Sequence, residues 1–204
     1  MKRNQLPFIS FAILTGLILL GVTAFIGGRL LTPYAFHGAV LQSPMPANDF
    51  TLMSHLGQRV SLSDFRGKLV LLYFGYTTCP DVCPTTLADL GKARKLLGKA
   101  GEQIQIVMVT VDPERDTLPV LADYMTHFGP AFLGLTGTPE EIAQAATYYG
   151  VYYERAQTDS ALGYLVNHTA TVMVIDRKGY LRLVFPFGTP ANEIADDLQE
   201  LIKR

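Results

Sequence analysis

Two cysteines, Cys79 and Cys83, stand in the pentapeptide CPDVC directly after an apolar run, and the chain has no others. A thiolate is both a nucleophile and a metal ligand. A pair of them therefore admits two kinds of chemistry, thiol–disulfide exchange and capture of a soft metal. Their separation is close to one helical turn, about 3.6 residues, which aims both sulfurs at a common point. If Cys83 lies at or beside a helix N-cap, free backbone N–H groups and the positive end of the helix dipole favour its thiolate. Two thiolates suit Cu(I) or Zn(II) but do not complete a site, so a third ligand is needed. A structural disulfide is the plainer reading of the same pair. With only two cysteines the chain is no disulfide-framework protein.

The bulk of the chain limits where such a pair can work. At 204 residues and 49% hydrophobic content, it suits one membrane segment plus one domain of about 150 residues, large enough for a core. Charged residues make up 17%, below the roughly 25% of soluble domains. The deficit is local: no Asp, Glu, Lys or Arg lies between Arg3 and Arg29, and the next charge is Asp49. The formal net charge of −1 argues against a general nucleic-acid partner. Asn4 to Gly28 is uncharged and mostly apolar, longer than the roughly 20 residues that span a bilayer as a helix. Lys2 and Arg3 precede it, so this end is expected in the cytoplasm with the rest of the chain outside. Residues 1–31 therefore read as a cytoplasmic N-terminus and transmembrane anchor. A cleaved signal peptide ending at Val22-Thr23-Ala24 is the alternative. Residues 32–48, with Pro33, Pro44 and Pro46, read as an extended linker, and residues 49–204 as the folded domain.

Within that domain, Phe50–Met53 and Arg59–Leu62 pattern as a hairpin around Gly57. Leu69–Phe74 is a continuous apolar run ended by Gly75, as expected of a buried central strand. Pro84–Gly98 reads as a helix with Pro84 at its first position and basic residues toward its end. Ile104–Val111 is a second buried strand. Leu118–Phe128 and Pro139–Tyr149 are helices, the latter capped by Thr138. A Tyr-rich insertion, Tyr148 to Tyr164, precedes a hairpin of Thr169–Ile175 and Tyr180–Phe185. An amphipathic helix, Pro190–Ile202, closes the chain. The order predicts an α/β, thioredoxin-like fold: a central mixed sheet flanked by helices, an N-terminal β-hairpin extension, and one transmembrane helix in front. In such folds a cis-proline usually packs against the dithiol just before the hairpin. Here that position is His168. An imidazole there lies near the sulfurs despite the sequence separation, and two thiolates with one imidazole make a trigonal site compatible with copper. Two other readings stay open for it, an ordinary hydrogen-bonded histidine and a glycosylation acceptor in Asn167-His168-Thr169.

The segment Tyr73-Phe-Gly-Tyr-Thr-Thr-Cys79-Pro-Asp-Val-Cys83-Pro resembles the signature of the Sco/SenC copper-chaperone family. Thr110-Val-Asp112-Pro-Glu-Arg115-Asp116-Thr is similar to that family's loop after the second core strand, and Tyr164-Leu-Val-Asn-His168-Thr to its histidine segment. Phe50-Thr-Leu52 and Ser63-Asp64-Phe65-Arg-Gly67-Lys68 fit its opening hairpin. The resemblance implies a thioredoxin fold that binds Cu(I) or Cu(II) through Cys79, Cys83 and His168. It further implies a metallochaperone, with thiol–disulfide oxidoreductase activity left open, that delivers copper to the dinuclear copper centre of cytochrome c oxidase subunit II or prepares its thiols. The implied setting is a cell inner membrane, single-pass, with the domain on the periplasmic or extracytoplasmic side, or the mitochondrial inner membrane in a eukaryote. Two departures touch no ligand: Thr78 where many members carry His, and Asn167 where many carry Asp. The second alters the surroundings of the ligand histidine. In an oxidising compartment the dithiol drifts to a disulfide, so a thioredoxin-like reductant is expected beside a copper donor and a recipient. The alternative function is an extracytoplasmic thiol–disulfide oxidoreductase acting on cysteines of a copper protein. A peroxiredoxin-like peroxidase is disfavoured, because no Arg adjoins the dithiol and the second cysteine is too near for a resolving partner.

Other residues read more plainly. Asp81 stabilises the Pro80-Asp81 turn or tunes the site. Asp112, Glu114, Arg115 and Asp116 form a charged loop on the expected active edge, read as solvated, with Asp116 or Thr117 capping the next helix. His127 sits structurally at a helix end. His37, Met45 and Met53 are soft groups that lack the clustering of a relay.

Overall fold

The computed structural model describes residues 14–23, 33–157 and 163–204, and residues 36–204 form one compact unit. Residues 14–23 are helical (α1), with Leu14, Leu17, Ile18, Leu19 and Leu20 exposed. Among the described residues no helix is long and apolar enough to cross a membrane. The rest of the expected Asn4–Gly28 span lies outside the described residues.

Among the described residues ten strands follow in the order β1 (Ala39–Pro46), β2 (Thr51–Ser54), β3 (Arg59–Ser61), β4 (Leu69–Gly75), β5 (Ile104–Thr110), β6 (Phe132–Thr136), β7 (Tyr153–Gln157), β8 (Tyr164–His168), β9 (Val172–Ile175) and β10 (Tyr180–Phe185). Four further helices are α2 (Val82–Leu96), α3 (Leu118–Thr126), α4 (Pro139–Tyr148) and α5 (Ala191–Lys203). Eight strands make one mixed sheet in the order β1-β10-β9-β4-β5-β6-β2-β3, while β7 and β8 pair only with each other. β4, β5 and β6 are parallel, and β9 runs antiparallel against β4. This is the α/β, thioredoxin-like arrangement with a β2–β3 hairpin that the element order predicts.

The two central strands are buried almost throughout, because helices cover both faces of a parallel sheet and leave no polar side. Helix α2 turns Cys83, Thr86, Leu87, Leu90 and Ala93 inward, the three-to-four residue spacing of one helical face. α2 packs beside α5, whose buried face is Ile194, Ala195, Asp197, Leu198 and Leu201. Thr138 caps α4 by accepting the Glu141 N–H, with Glu141 returning the contact in a capping box.

Four expectations need correction. Residues 39–46, expected within a linker, form edge strand β1 against β10. An edge tolerates Pro44 and Pro46, since one side of the strand needs no ladder donor. Asp197, wholly buried, holds the start of this strand by accepting the N–H groups of His37 and Gly38 at 2.9–3.1 Å. Strand β6 was not foreseen, as its five residues carry a glycine and no alternation. The Tyr-rich insertion contains a two-stranded sheet, β7–β8, and the expected strand Thr169–Ile175 begins only at Val172. Thr169 is drawn away by Tyr152, whose carbonyl accepts its N–H at 2.9 Å. Finally, α2 starts at Val82, before Pro84. Pro84 still lies in the first turn, where a missing N–H costs nothing.

Candidate metal centre

The cysteine loop leaves the carboxyl end of β4, the edge where open α/β sheets place ligand sites. Gly75 allows the close approach this turn needs. A Cβ there would lie 2.6 Å from the Tyr73 ring and 3.1 Å from Cys83 Sγ. The backbone then reaches Cys79, which is half-buried, and Cys83, which is fully buried in the second position of α2. Both are free thiols.

The helix N-terminus acts on Cys79 and not, as expected, on Cys83. Cys79 Sγ accepts the Cys83 N–H at 3.4 Å. The hydrogen bond from the Cys83 thiol, aided by His168 and by backbone N–H groups of Cys83 and Asp81, pulls the Cys79 pKa far below the ordinary thiol range against the opposing effect of burial. Cys83 moves the other way: its hydrogen bond to Cys79 and its burial both hold its proton on. Tyr73, buried at the end of its strand, donates its hydroxyl to Cys83 Sγ at 3.3 Å.

His168 is the last residue of β8. Its Nε2 lies 3.4 Å from Cys83 Sγ, and its Nδ1 donates to the Thr169 carbonyl at 3.2 Å. That bond turns Nε2 toward the sulfurs: as a lone pair it can ligate a metal, and protonated it stabilises the Cys79 thiolate. Tyr73 and Tyr76 meet the imidazole edge-on, at centroid distances of 6.0 and 5.8 Å. The two sulfurs and the ring nitrogen all lie within 4.8 Å of one another. With bonds of about 2.0 Å to nitrogen and 2.3 Å to sulfur, trigonal donors stand roughly 3.5–4 Å apart, so a small contraction closes the set. Cys79 and His168 border an open depression of about 270 Å³, whose rim includes Pro80, Asp81, Val82, Leu165 and Ala170, while Cys83 lies buried behind them. Among the described residues this is the one cluster of three His, Cys, Asp or Glu donors placed to share a metal.

The remaining candidates sort themselves by position. Asp81 is exposed at the N-cap of α2, and its backbone carbonyl accepts the Thr85 N–H. Asn167 is exposed beside His168, and Thr78 Oγ1 is buried without a hydrogen-bond partner. His127 caps the end of α3, facing the carbonyls of Asp123 and Tyr124. His37 lies 3.8 Å from Glu193, and Met45 and Met53 sit on β1 and β2, so none of the three joins the centre.

The loop after β5 contradicts its solvated reading. Asp112 and Asp116 are buried, and Thr117 rather than Asp116 is the N-cap of α3, with no side-chain capping bond. Asp116 accepts the Thr77 N–H at 3.0 Å, the Thr77 hydroxyl at 2.6 Å and the Thr110 hydroxyl at 2.6 Å. Asp112 accepts the Tyr164 hydroxyl at 2.8 Å and pairs with Arg115. Charge density alone suggested a surface. The better signal was position: the loop leaves the strand paired in parallel to β4, at the same edge as the cysteines.

A pH prediction follows from the two sulfurs. Since the folded Cys79 pKa is depressed, its thiolate persists below the usual thiol pKa of about 8.5. Alkylation of the reduced protein at Cys79 should therefore stay nearly constant from about pH 8 to pH 6, where an ordinary thiol slows roughly tenfold per unit. Stability carries the same sign: the gain is complete above the unfolded pKa and lost as pH falls through the folded one. A tenfold drop per unit in the Cys79 alkylation rate, followed by mass spectrometry, contradicts the assignment.

A family model described as SCO1/SenC matches residues 41–203. The mitochondrial SCO2 homolog of Bos taurus is 38% identical over 163 residues, covering 79% of this chain and 61% of that protein. The chain thus spans about three fifths of the length of that relative. Among solved structures, apo Sco1 of Thermus thermophilus is 44% identical with a TM-score of 0.73, covering 82% of this chain and 98% of that one. Bradyrhizobium japonicum ScoI with copper bound is 35% identical with a TM-score of 0.70, covering 77% and 99%. With the family match reaching from the first strand of the sheet to the final helix, and both cysteines and the histidine inside it, the chain belongs to the SCO1/SenC family.

Proposed function

We propose that this chain is a copper chaperone that holds one copper ion as cargo between Cys79, Cys83 and His168. In this reading it delivers the ion to the dinuclear copper centre of cytochrome c oxidase subunit II, or prepares the thiols of that centre. The observation that carries the reading is the convergence of two free thiols and one imidazole nitrogen within 4.8 Å. Soft sulfur donors with a nitrogen, on a half-open site, suit copper and leave a face for hand-over. The relative solved with copper bound supports the choice of metal. The reading puts an anchor within residues 1–31 in an inner membrane and the domain, from near Phe36, on the extracytoplasmic side. A copper donor and a thioredoxin-like reductant serve it there. Titrating the reduced protein with Cu(I) under a competing chelator should give one tight equivalent per chain, lost in Cys79→Ser and in Cys83→Ser. Retention of that equivalent in either variant refutes the cargo site.

The asymmetry of the sulfurs favours a second reading, thiol–disulfide exchange. The half-buried Cys79 thiolate would attack a disulfide in a copper protein, forming a mixed disulfide and releasing one thiolate. Cys83 would then displace the second, leaving the partner as a dithiol and this chain as a disulfide for the reductant to recycle. His168→Ala separates the two: exchange survives that change, whereas copper binding weakens sharply.

A further inference from the structure

The copper ligands reach the site on two segments that share no sheet. Cys79 and Cys83 follow β4 in the central sheet, whereas His168 ends β8, which pairs only with β7. Past His168, residues 169–171 lead into β9, which pairs with β4, so one end of the histidine segment is held from the central sheet. The spacing of imidazole to sulfur is then set from the other side by whatever ties the β7–β8 hairpin to the cysteine loop. Residues 112–116 contact both. Toward the hairpin, Arg115 donates to the Tyr164 carbonyl at 2.9 Å, and its guanidinium lies 3.7 Å from the Tyr164 ring centroid. Asp112 accepts the Tyr164 hydroxyl and pairs with Arg115, and Glu114 pairs with Arg155 of β7 at 2.7 Å. Toward the cysteines, Asp116 holds both the N–H and the hydroxyl of Thr77, two residues before Cys79. Arg115 also lies over the Tyr76 ring at 5.8 Å, and the Tyr76 hydroxyl accepts the Val166 N–H at 3.2 Å.

We propose that residues 112–116 form a latch that sets the distance between His168 and the two sulfurs, with Arg115 as the positioning residue. The inference rests on the copper reading above. The physical ground is burial. Asp112 and Asp116 are desolvated carboxylates, and such groups keep one geometry because losing a partner leaves a charge or donor unpaired. Tyr164 is clamped at its hydroxyl, its ring and its carbonyl, so the first residue of β8 is fixed and His168, four residues on, inherits its place. A ligand displaced by about 0.5 Å or more leaves the productive geometry, and groups that orient ligands typically matter about 10–100-fold in metal affinity.

The test is a double-mutant cycle on the full chain with Cu(I) as the probe, read by chelator competition. Arg115→Ala should weaken binding about tenfold or more, and the same change in a His168→Ala background should cost nothing further, because the latch works only through the imidazole. Tyr164→Phe keeps the ring and removes one hydrogen bond, so it should move affinity in the same direction by less and with the same non-additivity. Hydrogen exchange on the metal-free protein supplies an independent readout. Amides of β8 should exchange at least about tenfold faster in Arg115→Ala, with β4 and β5 unchanged. Additive losses, wild-type affinity in both single variants, or unaltered exchange in β8 would overturn the latch. If the wild type shows no His168-dependent copper binding, the copper reading fails, and the exchange measurement still decides whether the latch holds the hairpin.

Discussion

Replacing His168 with alanine is expected to weaken Cu(I) binding by the reduced protein at least about a hundredfold, roughly 2.7 kcal/mol, while leaving its thermal stability near wild type. Groups that only orient a ligand already matter about 10–100-fold, so removal of a ligand itself sets a higher floor. The two sulfurs remain, and a two-coordinate copper persists at lower affinity. Stability should change little because the imidazole is only part-buried, bonds the carbonyl of the next residue and a sulfur of the site, and packs edge-on against Tyr73 and Tyr76. Chelator competition reads the affinity, and a thermal melt of the apo protein reads the fold. An affinity within about threefold of wild type in a folded variant removes His168 from the ligand set.

Asp116→Ala should lower the stability of the apo protein by about 3–5 kcal/mol, since each donor left without its acceptor costs about 1–3 kcal/mol. The carboxylate is wholly buried and accepts three hydrogen bonds, from the Thr77 N–H, the Thr77 hydroxyl and the Thr110 hydroxyl. Truncation leaves three donors without their acceptor, the Thr110 hydroxyl fully buried and the two of Thr77 part-buried. Asp116→Asn keeps the volume but turns an amide N–H₂ toward donors, so it should fall between alanine and wild type. Urea unfolding of the three proteins measures the ladder. A loss under about 1 kcal/mol for alanine would mean that the loop is as solvated as its charge suggests. Because Thr77 lies two residues before Cys79, the same variant should also loosen the cysteine loop, linking stability to the site.

Much of this molecule was legible in one dimension. Leu69–Phe74 is a run of apolar residues with no polar face, so it can only be a strand covered on both sides. Thr138-Pro139-Glu-Glu141 carries its own cap and first turn, and α4 begins there. The cysteine spacing and the residue before the last hairpin point to the three side chains that cluster within 4.8 Å, because backbone connectivity and the fold's layout bring them to one edge. What the chain order could not express is contact between distant charges. Asp112, Arg115 and Asp116 look like surface on composition alone. The two aspartates are interior and Arg115 is half-buried because Tyr164 and Thr77, far off in sequence, supply the partners that make their burial affordable. The same holds for β1, whose prolines read as linker until Asp197 and β10 give it an edge to join, and for the assignment of the thiolate. Residue types made either sulfur a candidate. The first turn of α2 offers its N–H groups to Cys79 and buries Cys83 among apolar atoms, and the hydrogen bond between the two sulfurs, with burial behind it, leaves the proton on Cys83.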